Sequence, residues 1–232
     1  MLELKNISFT AKGGSRTKIL DQVSLTIKPH TLTVITGPNG SGKSTLAEII
    51  MGIKTPTKGS IVFNQKNITK LTITERANLG LAYAFQQPVH LKGIDTYSLL
   101  SIASRELIDP GLASKYLSQV GLDPTYLSRE IDSKLSGGEL KRIEIASVLA
   151  RNAKLIIFDE PEAGIDLWSF NHLIKIFKQL KTNHVTIIII SHQEKILKLA
   201  DNIIVLDNGR ITQQGSPTDL LPTLIGGTHA TK

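Results

Sequence analysis

The stretch Gly37-Pro38-Asn39-Gly40-Ser41-Gly42-Lys43-Ser44 constrains this chain more than any other, because it fits G-x-x-x-x-G-K-[ST] at every required position. Its glycines let the backbone wrap so that successive N–H groups point inward, and the positive end of a following helix adds to that field. The site so formed is a phosphate cradle. Lys43 is placed to neutralise β- and γ-phosphates, and the Ser44 hydroxyl, with Thr45 beside it, to face Mg²⁺. The context fits the motif. Leu32 to Ile35 reads as a core strand, and from Ser44 onward Leu46, Ile49 and Ile50 fall on one helical face, with Gly52 placed to close the helix.

Later segments repeat the alternation of helix and buried strand. Leu155 to Phe158 and Val185 to Ile190 are apolar runs separated by a helical pattern from Leu167 to Leu180, as parallel βα units require. Upstream, Val23-Ser24-Leu25-Thr26-Ile27 alternates as a half-buried strand, Pro56-Thr57-Lys58-Gly59 has turn chemistry, and Ile61-Val62-Phe63 reads as a strand. Residues 88–135 differ, with helical spacing and breaks at Asp109-Pro110 and Asp123-Pro124, and read as an inserted helical lobe. Asp207-Asn208-Gly209-Arg210 suits a tight hairpin. The last dozen residues, with Gly226-Gly227, are expected to be loosely ordered.

The second strand end carries chemistry. Leu155-Ile156-Ile157-Phe158-Asp159-Glu160 ends in two carboxylates at the crevice where parallel-sheet ligands bind. With a phosphate loop upstream, Asp159 is the metal-side carboxylate and Glu160 the group that polarises an attacking water. A capped strand end is the plainer reading of the same pair. Ser136-Gly137-Gly138-Glu139 is, in its plain reading, a capping box opening a helix. Two exposed glycines at a helix N-terminus also make an anion site, and the phosphate loop already covers one side of a nucleotide. The surplus anion site points to a nucleotide held by another molecule.

Taken together, these segments resemble the ATP-binding cassette (ABC) family. Leu135 to Glu139 reads LSGGE, the family signature, and GPNGSGKS and IIFDE match its Walker A and Walker B motifs. The resemblance covers nearly the whole chain and implies an α/β fold of the P-loop NTPase ABC type: a mixed sheet core, a small antiparallel β subdomain and an inserted helical subdomain. It also implies one domain over 1–232, with a nucleotide-binding core of 1–87 and 136–232 and a helical subdomain of 88–135. ATP and Mg²⁺ are the implied cofactors, ATP hydrolysis the implied activity, and a head-to-tail pair of cassettes the implied working unit. In that pair Ser136, Gly137 and Gly138 contact the γ-phosphate held by the other copy. Gln86 resembles the Q-loop glutamine that reaches metal and water, Gly164-Ile165-Asp166 the D-loop, and His192 the switch histidine on the γ-phosphate. A departure lies at Phe9-Thr10-Ala11-Lys12-Gly13, where the family often stacks adenine on an aromatic; Ala11 near that place implies loose base recognition.

Finer wording resembles the soluble Suf-type iron–sulfur assembly ATPases (SufC-like) more than transporter cassettes: Thr74-Glu75-Arg76-Ala77, Leu79 to Pro88, Lys92-Gly93-Ile94, Leu135 to Ala146 and Asp159 to Asp166. That likeness implies a SufB/SufD-like scaffold partner bound near Val89 to Asp95. The chain has no cysteine, which fits a motor whose partner holds iron and sulfur. The alternative is the ATPase subunit of a membrane transporter, its lobe gripping a transmembrane permease subunit. Work on nucleic acid or ribosomes is disfavoured: the net charge is +7, but Lys and Arg are scattered, with neither a second cassette nor a long coiled-coil insert. The N-terminus lacks a signal pattern and no apolar run approaches the ~18 residues of a bilayer span, so a cytoplasmic location is expected.

Overall fold

A computed structural model describes residues 1–11, 17–88, 91–132 and 134–226. The chain opens with β1 (Leu2–Thr10), β2 (Lys18–Ile27) and β3 (Leu32–Thr36), followed by α1 (Lys43–Met51), β4 (Lys58–Phe63) and β5 (Lys66–Asn67). It continues through α2 (Ile73–Asn78), β6 (Leu81–Ala84), β7 (Leu91–Asp95), α3 (Thr96–Ser104), α4 (Pro110–Gln119), a 3₁₀ turn at Pro124–Ser128 and β8 (Glu130–Ile131). The remainder is α5 (Gly137–Ala150), β9 (Leu155–Asp159), α6 (Leu167–Thr182), β10 (Thr186–Ile190), α7 (Glu194–Leu197), β11 (Asn202–Asp207), β12 (Arg210–Gly215) and α8 (Pro217–Gly226).

Two sheets carry the architecture. The larger is ordered β12-β11-β3-β10-β9-β6, with β12 antiparallel at its edge and the other pairings parallel; the smaller is antiparallel, ordered β2-β1-β4-β5. Every residue of β3, β9 and β10 is buried, which is why those strands read as continuous apolar runs. Successive isoleucines of β10 serve opposite faces. Ile188 and Ile190 pack with Leu46, Ile50 and the small sheet, whereas Ile187 and Ile189 pack with Ile143, Phe177 and the inserted segment. Leu100, Ala113, Leu117 and Val120 of that segment share this second core with Phe158, so it is bonded to the sheet layer through α5 rather than built around a separate core. In register, Asp159 lies opposite Ile190, which lies opposite Ile35. The strand ends that bear the motifs therefore meet along one line.

The Asn-Gly hairpin joins β11 to β12 with both turn residues at positive φ, Asn208 at 47° and Gly209 at 74°. One feature of the inserted segment differs from the sequence expectation, and two helices elsewhere have no counterpart in it. The 88–135 stretch also contains an antiparallel ribbon, β7 with β8, whose pairs Leu91 with Ile131 and Asp95 with Glu130 are too few, and too interrupted by Gly93, to show a period of two. Helix α2 is six residues long and is fixed by a Thr72–Glu75 capping box rather than by an apolar stripe. Helix α8 contains Pro222, a residue that argues against a helix when read alone. Of the last dozen residues, expected to be loosely ordered, 221–226 instead form the end of α8, and 227–232 lie outside the described residues.

Arg76 of α2 is 1% exposed, and its guanidinium donates to four carbonyls: Ile49 O at 2.6 Å, Ile50 O at 2.8 Å, Thr69 O at 3.0 Å and Leu71 O at 3.1 Å. Two of these carbonyls lie in the last turn of α1, where Ile49 O also accepts the Gly52 N–H at 3.2 Å, so one buried cation helps close the helix that begins at the phosphate loop. Burial lowers its pKa. Arg76→Met is expected to destabilise the fold by about 3–5 kcal/mol, since buried acceptors lose charge-assisted partners. Urea unfolding at constant m-value measures this; a loss under about 1 kcal/mol would refute the capping role.

Candidate nucleotide site

The loop from β3 to α1 is shaped by two close approaches. Gly37 sits at φ 133°, and a Cβ there would fall 1.9 Å from Leu206 O. Gly42 sits at φ 101°, where a Cβ would meet Leu20 Cδ2 at 2.8 Å. Neither position admits a side chain. Gly42 is also the N-cap of α1, with no side-chain hydrogen bond to the first-turn amides and no acidic residue there, which leaves the helix N–H groups to an anion. Lys43 is 5% exposed and its Nζ donates to Gly37 O and Pro38 O, both at 2.8 Å. Burial lowers the pKa of its ammonium, opposed by the charges of Glu160 and Asp159.

Asp159, at the end of β9, is 2% exposed and accepts from Ser44 Oγ at 3.1 Å and from Tyr83 OH at 2.7 Å. Burial pushes its carboxyl pKa up, while the hydrogen bonds from Tyr83 and Ser44 pull it down. Tyr83 is itself pushed well up, by burial first and then by the charge of Asp159, so the phenol remains a donor. The next residue, Glu160, adopts φ 44°, a left-handed conformation that costs a non-glycine residue on the order of 1–3 kcal/mol. Its N–H donates to Ile190 O at 3.0 Å, and its Oε2 accepts from Gln86 Nε2 at 2.7 Å. His192 follows β10, its Nδ1 3.4 Å from Thr36 Oγ1. Burial and then Lys43 lower its pKa against the opposing charge of Glu160, which keeps the imidazole neutral at neutral pH.

A cavity of about 430 Å³ opens here, lined by Ile19, by Asn39, Gly40 and Gly42 to Thr45 of the loop, and by Gln86 and Glu160. Of the residues singled out from sequence, the structure therefore gathers Asn39, Gly40, Gly42, Lys43, Ser44, Thr45, Gln86 and Glu160 around one space. Asp159 and His192 do not line it: Asp159 is joined to it by the Ser44 hydrogen bond, and His192 interacts electrostatically with its Lys43 and Glu160. Ser41 is buried, with an Oγ that has no hydrogen-bond partner.

Ser136, Gly137 and Gly138 do not line this cavity. They open α5, where the capping box is formed: Ser136 Oγ accepts Glu139 N–H at 3.3 Å, and Glu139 Oε2 accepts Ser136 N–H at 2.7 Å. Donation from Tyr126 OH, then from Ser136, lowers the Glu139 pKa to about 2. The plain reading of the motif as a helix cap is thus observed, and Gly137 beside it is exposed, with nothing within 4 Å of its Cβ position. The Cβ position of Gly138 is 3.3 Å from Gly164 O, which brings the 164–166 turn beside the signature. Sequence reasoning missed Ile19 and Tyr83. Ile19 supplies apolar lining from β2, and Tyr83 fixes Asp159 from a neighbouring strand; neither belongs to a motif, and only the parallel pairing of β6 with β9 brings Tyr83 close. Lys12 and Gly13 of the expected base-contact stretch lie outside the described residues, as do Val89 and His90.

A family model described as ABC transporter matches residues 20–163, more than half of the chain. This chain belongs to the ABC transporter family. An uncharacterized ABC transporter ATP-binding protein of Methanocaldococcus jannaschii is 39% identical over 88% of this chain and 85% of its own length. The probable ATP-dependent transporter ycf16 of Antithamnion sp. is 35% identical over 93% of this chain and 91% of its own. Among solved structures, an ATP-binding cassette captured as a dimer in a post-hydrolysis state with ADP and phosphate superposes with a TM-score of 0.84, at 25% identity, over 94% of this chain and 99% of that one. The α/β fold with a mixed sheet and a small antiparallel subdomain is the cassette fold, and the protein is an ATP-hydrolysing ABC ATPase.

Proposed function

We propose that two copies of this ABC ATPase close head to tail on ATP and Mg²⁺, and that the cycle of closing and reopening drives a separate membrane transport subunit. The observation that carries the pairing is the separation just described: a phosphate cavity lined by the loop after β3, and a signature turn outside it whose Ser136 and Gly137 are exposed. One chain holds both halves of a composite site and assembles neither half onto the other.

The residues fit Mg²⁺. Ser44 Oγ and Asp159 Oδ1 converge at 3.1 Å, and no group of three or more His, Cys, Asp or Glu converges elsewhere among the described residues. An oxygen pair of this kind suits Mg²⁺, which binds through one or two protein groups together with substrate phosphates and water. Ser44 and Asp159 would hold the ion, with Gln86 at its margin, and when bound it offsets charge on the phosphate oxygens. The phosphate loop amides and Lys43 bind and orient the β- and γ-phosphates. Glu160, held by Gln86, accepts a proton from the water that attacks the γ-phosphorus, and His192, a neutral donor, steadies the departing phosphate.

Partner binding is supported by an apolar groove of about 250 Å³ lined by Met51, Ile53, Ile73, Ala77, Phe85 and Ala103, among others. Ile73 and Phe85 remain 46% and 41% exposed there, and Ile102 and Leu107 on the adjoining helical segment 64% and 91%. Such a surface fits an amphipathic helix. Transport is favoured because the relatives above are named as transporters, and none of those names mentions iron–sulfur assembly. The Suf-type scaffold is a second reading, carried by Thr74 to Ala77, Leu79 to Pro88, Lys92 to Ile94, Leu135 to Ala146, Asp159 to Asp166 and the absence of cysteine. No helix among the described residues is long and apolar enough to cross a membrane, and we place the chain on the cytoplasmic side. Purification from native membranes and cytosol separates the readings: an integral membrane subunit supports transport, and a soluble cysteine-bearing scaffold overturns it.

Pair closure has its own reporter. Trp168, the one tryptophan of the sequence, is 81% exposed on the first turn of α6, next to the 164–166 turn. Mg-ATP added to Glu160→Gln protein is expected to shift its emission to the blue as the face is covered. An unchanged spectrum would count against closure through that face.

A further inference from the structure

The backbone at Phe85 and Gln86, which joins the apolar groove to Glu160, is held by an ion pair outside the Walker A, Walker B and LSGGE motifs. Phe85, half in the groove, immediately precedes Gln86. Both of its backbone polar groups are taken by α5: its N–H donates to Glu144 Oε1 at 2.7 Å, and its carbonyl accepts from Lys141 Nζ. Lys141 and Glu144 are one helical turn apart, and Glu144 Oε2 lies 3.2 Å from Lys141 Nζ at ion-pair distance. The side chains are 1% and 14% exposed, so the pair is removed from solvent screening. Burial raises the Glu144 pKa, and Lys141 opposes that rise.

A buried pair of this kind gains little stability over well-packed apolar residues of similar volume, because desolvation offsets the Coulombic attraction. What it supplies is geometry. Two charge-assisted hydrogen bonds fix the peptide plane on each side of Phe85, and with it the direction in which Gln86 leaves the strand. Gln86 Nε2 then reaches Glu160 Oε2 at 2.7 Å. The same helix carries the signature turn at its N-terminus, five residues before Lys141 and eight before Glu144, counted from Ser136. Closing of the partner copy on that turn and seating of a subunit against Phe85 therefore act on the same clamp.

We propose that Lys141 and Glu144 are positioning residues for hydrolysis, which hold Phe85 so that Gln86 meets Glu160 and which relay partner contact to that carboxylate. The proposal rests on the reading that Gln86 and Glu160 act in hydrolysis. The test is a mutant cycle on the full chain, with kcat, KM, ATP affinity and Tm measured for each variant. Lys141→Met/Glu144→Leu removes both charges together and so leaves no unpaired buried ion. It is expected to lower kcat about tenfold, with ATP affinity within about threefold of wild type and Tm nearly unchanged. Lys141→Met/Glu144→Gln restores an acceptor to the Phe85 N–H and is expected to recover part of kcat, and it carries the test should the first variant fail to fold. In a Gln86→Ala background, either pair of substitutions is expected to change kcat by less than about twofold, because the clamp acts through the missing side chain.

Independent, multiplying losses in that background would overturn the proposal, as would an unchanged kcat when the clamp alone is removed. An unchanged kcat for Gln86→Ala itself would overturn the assigned role of Gln86 and the clamp with it. The two failures are distinguished by that single variant.

Discussion

Glu160→Gln is expected to lower ATP turnover by about 10²–10³-fold while leaving ATP affinity within a few-fold of wild type. The substitution keeps the shape of the side chain and its hydrogen bond with Gln86, whose Nε2 lies 2.7 Å from Glu160 Oε2, but removes the negative charge that accepts a proton from water. It also leaves the left-handed backbone at φ 44° and the N–H bond to Ile190 untouched, so the fold has no reason to respond. Single-turnover hydrolysis with radiolabelled ATP, alongside equilibrium binding, separates the two quantities. Turnover within threefold of wild type would place the proton acceptor elsewhere.

Lys43→Ala is the second large effect. The ammonium is 5% exposed and faces a cavity lined by the helix N-terminus, where a polyphosphate meets little competing solvent. Removing the cation from a buried charge-assisted contact costs on the order of 2–5 kcal/mol, a loss in ATP affinity of about 30-fold to several thousand-fold. Some of that loss reflects the loop itself, because Gly37 O and Pro38 O lose their donor together. Lys43→Arg, which keeps the charge but alters its reach, is a useful companion. Calorimetric titration with ATP checks both, and wild-type affinity in the alanine variant would contradict the cradle.

Most of the nucleotide pocket was legible in the sequence because its chemistry is local. The phosphate loop, the start of α1 and its closure at Gly52 are written in about sixteen consecutive residues, and Gly52 indeed ends the helix at φ 86°. Asp159 and Glu160 were legible because an apolar run ends at them. Tyr83, Ile19 and the Lys141–Glu144 pair were not, because each acquires its role only when segments distant in sequence are packed together. Arg76 is a sharper case: a charged residue in a polar stretch reads as surface, yet tertiary packing places it among four carbonyls. The ribbon of β7 and β8 was hidden for a different reason, since two pairs on either side of Gly93 carry no period. The signature turn was readable as a cap and as an anion site at once; the structure shows the cap, in Ser136 and Glu139, and the exposure of Gly137 is what supports the proposed anion contact.

The central claim is that one chain supplies half of each ATP site to another copy. Its most direct test is the solution mass of the Glu160→Gln protein, by light scattering after size exclusion, with and without saturating Mg-ATP. The account predicts 25.3 kDa without nucleotide and twice that mass with it. A mass of 25.3 kDa in both conditions, with ATP demonstrably bound, would contradict it.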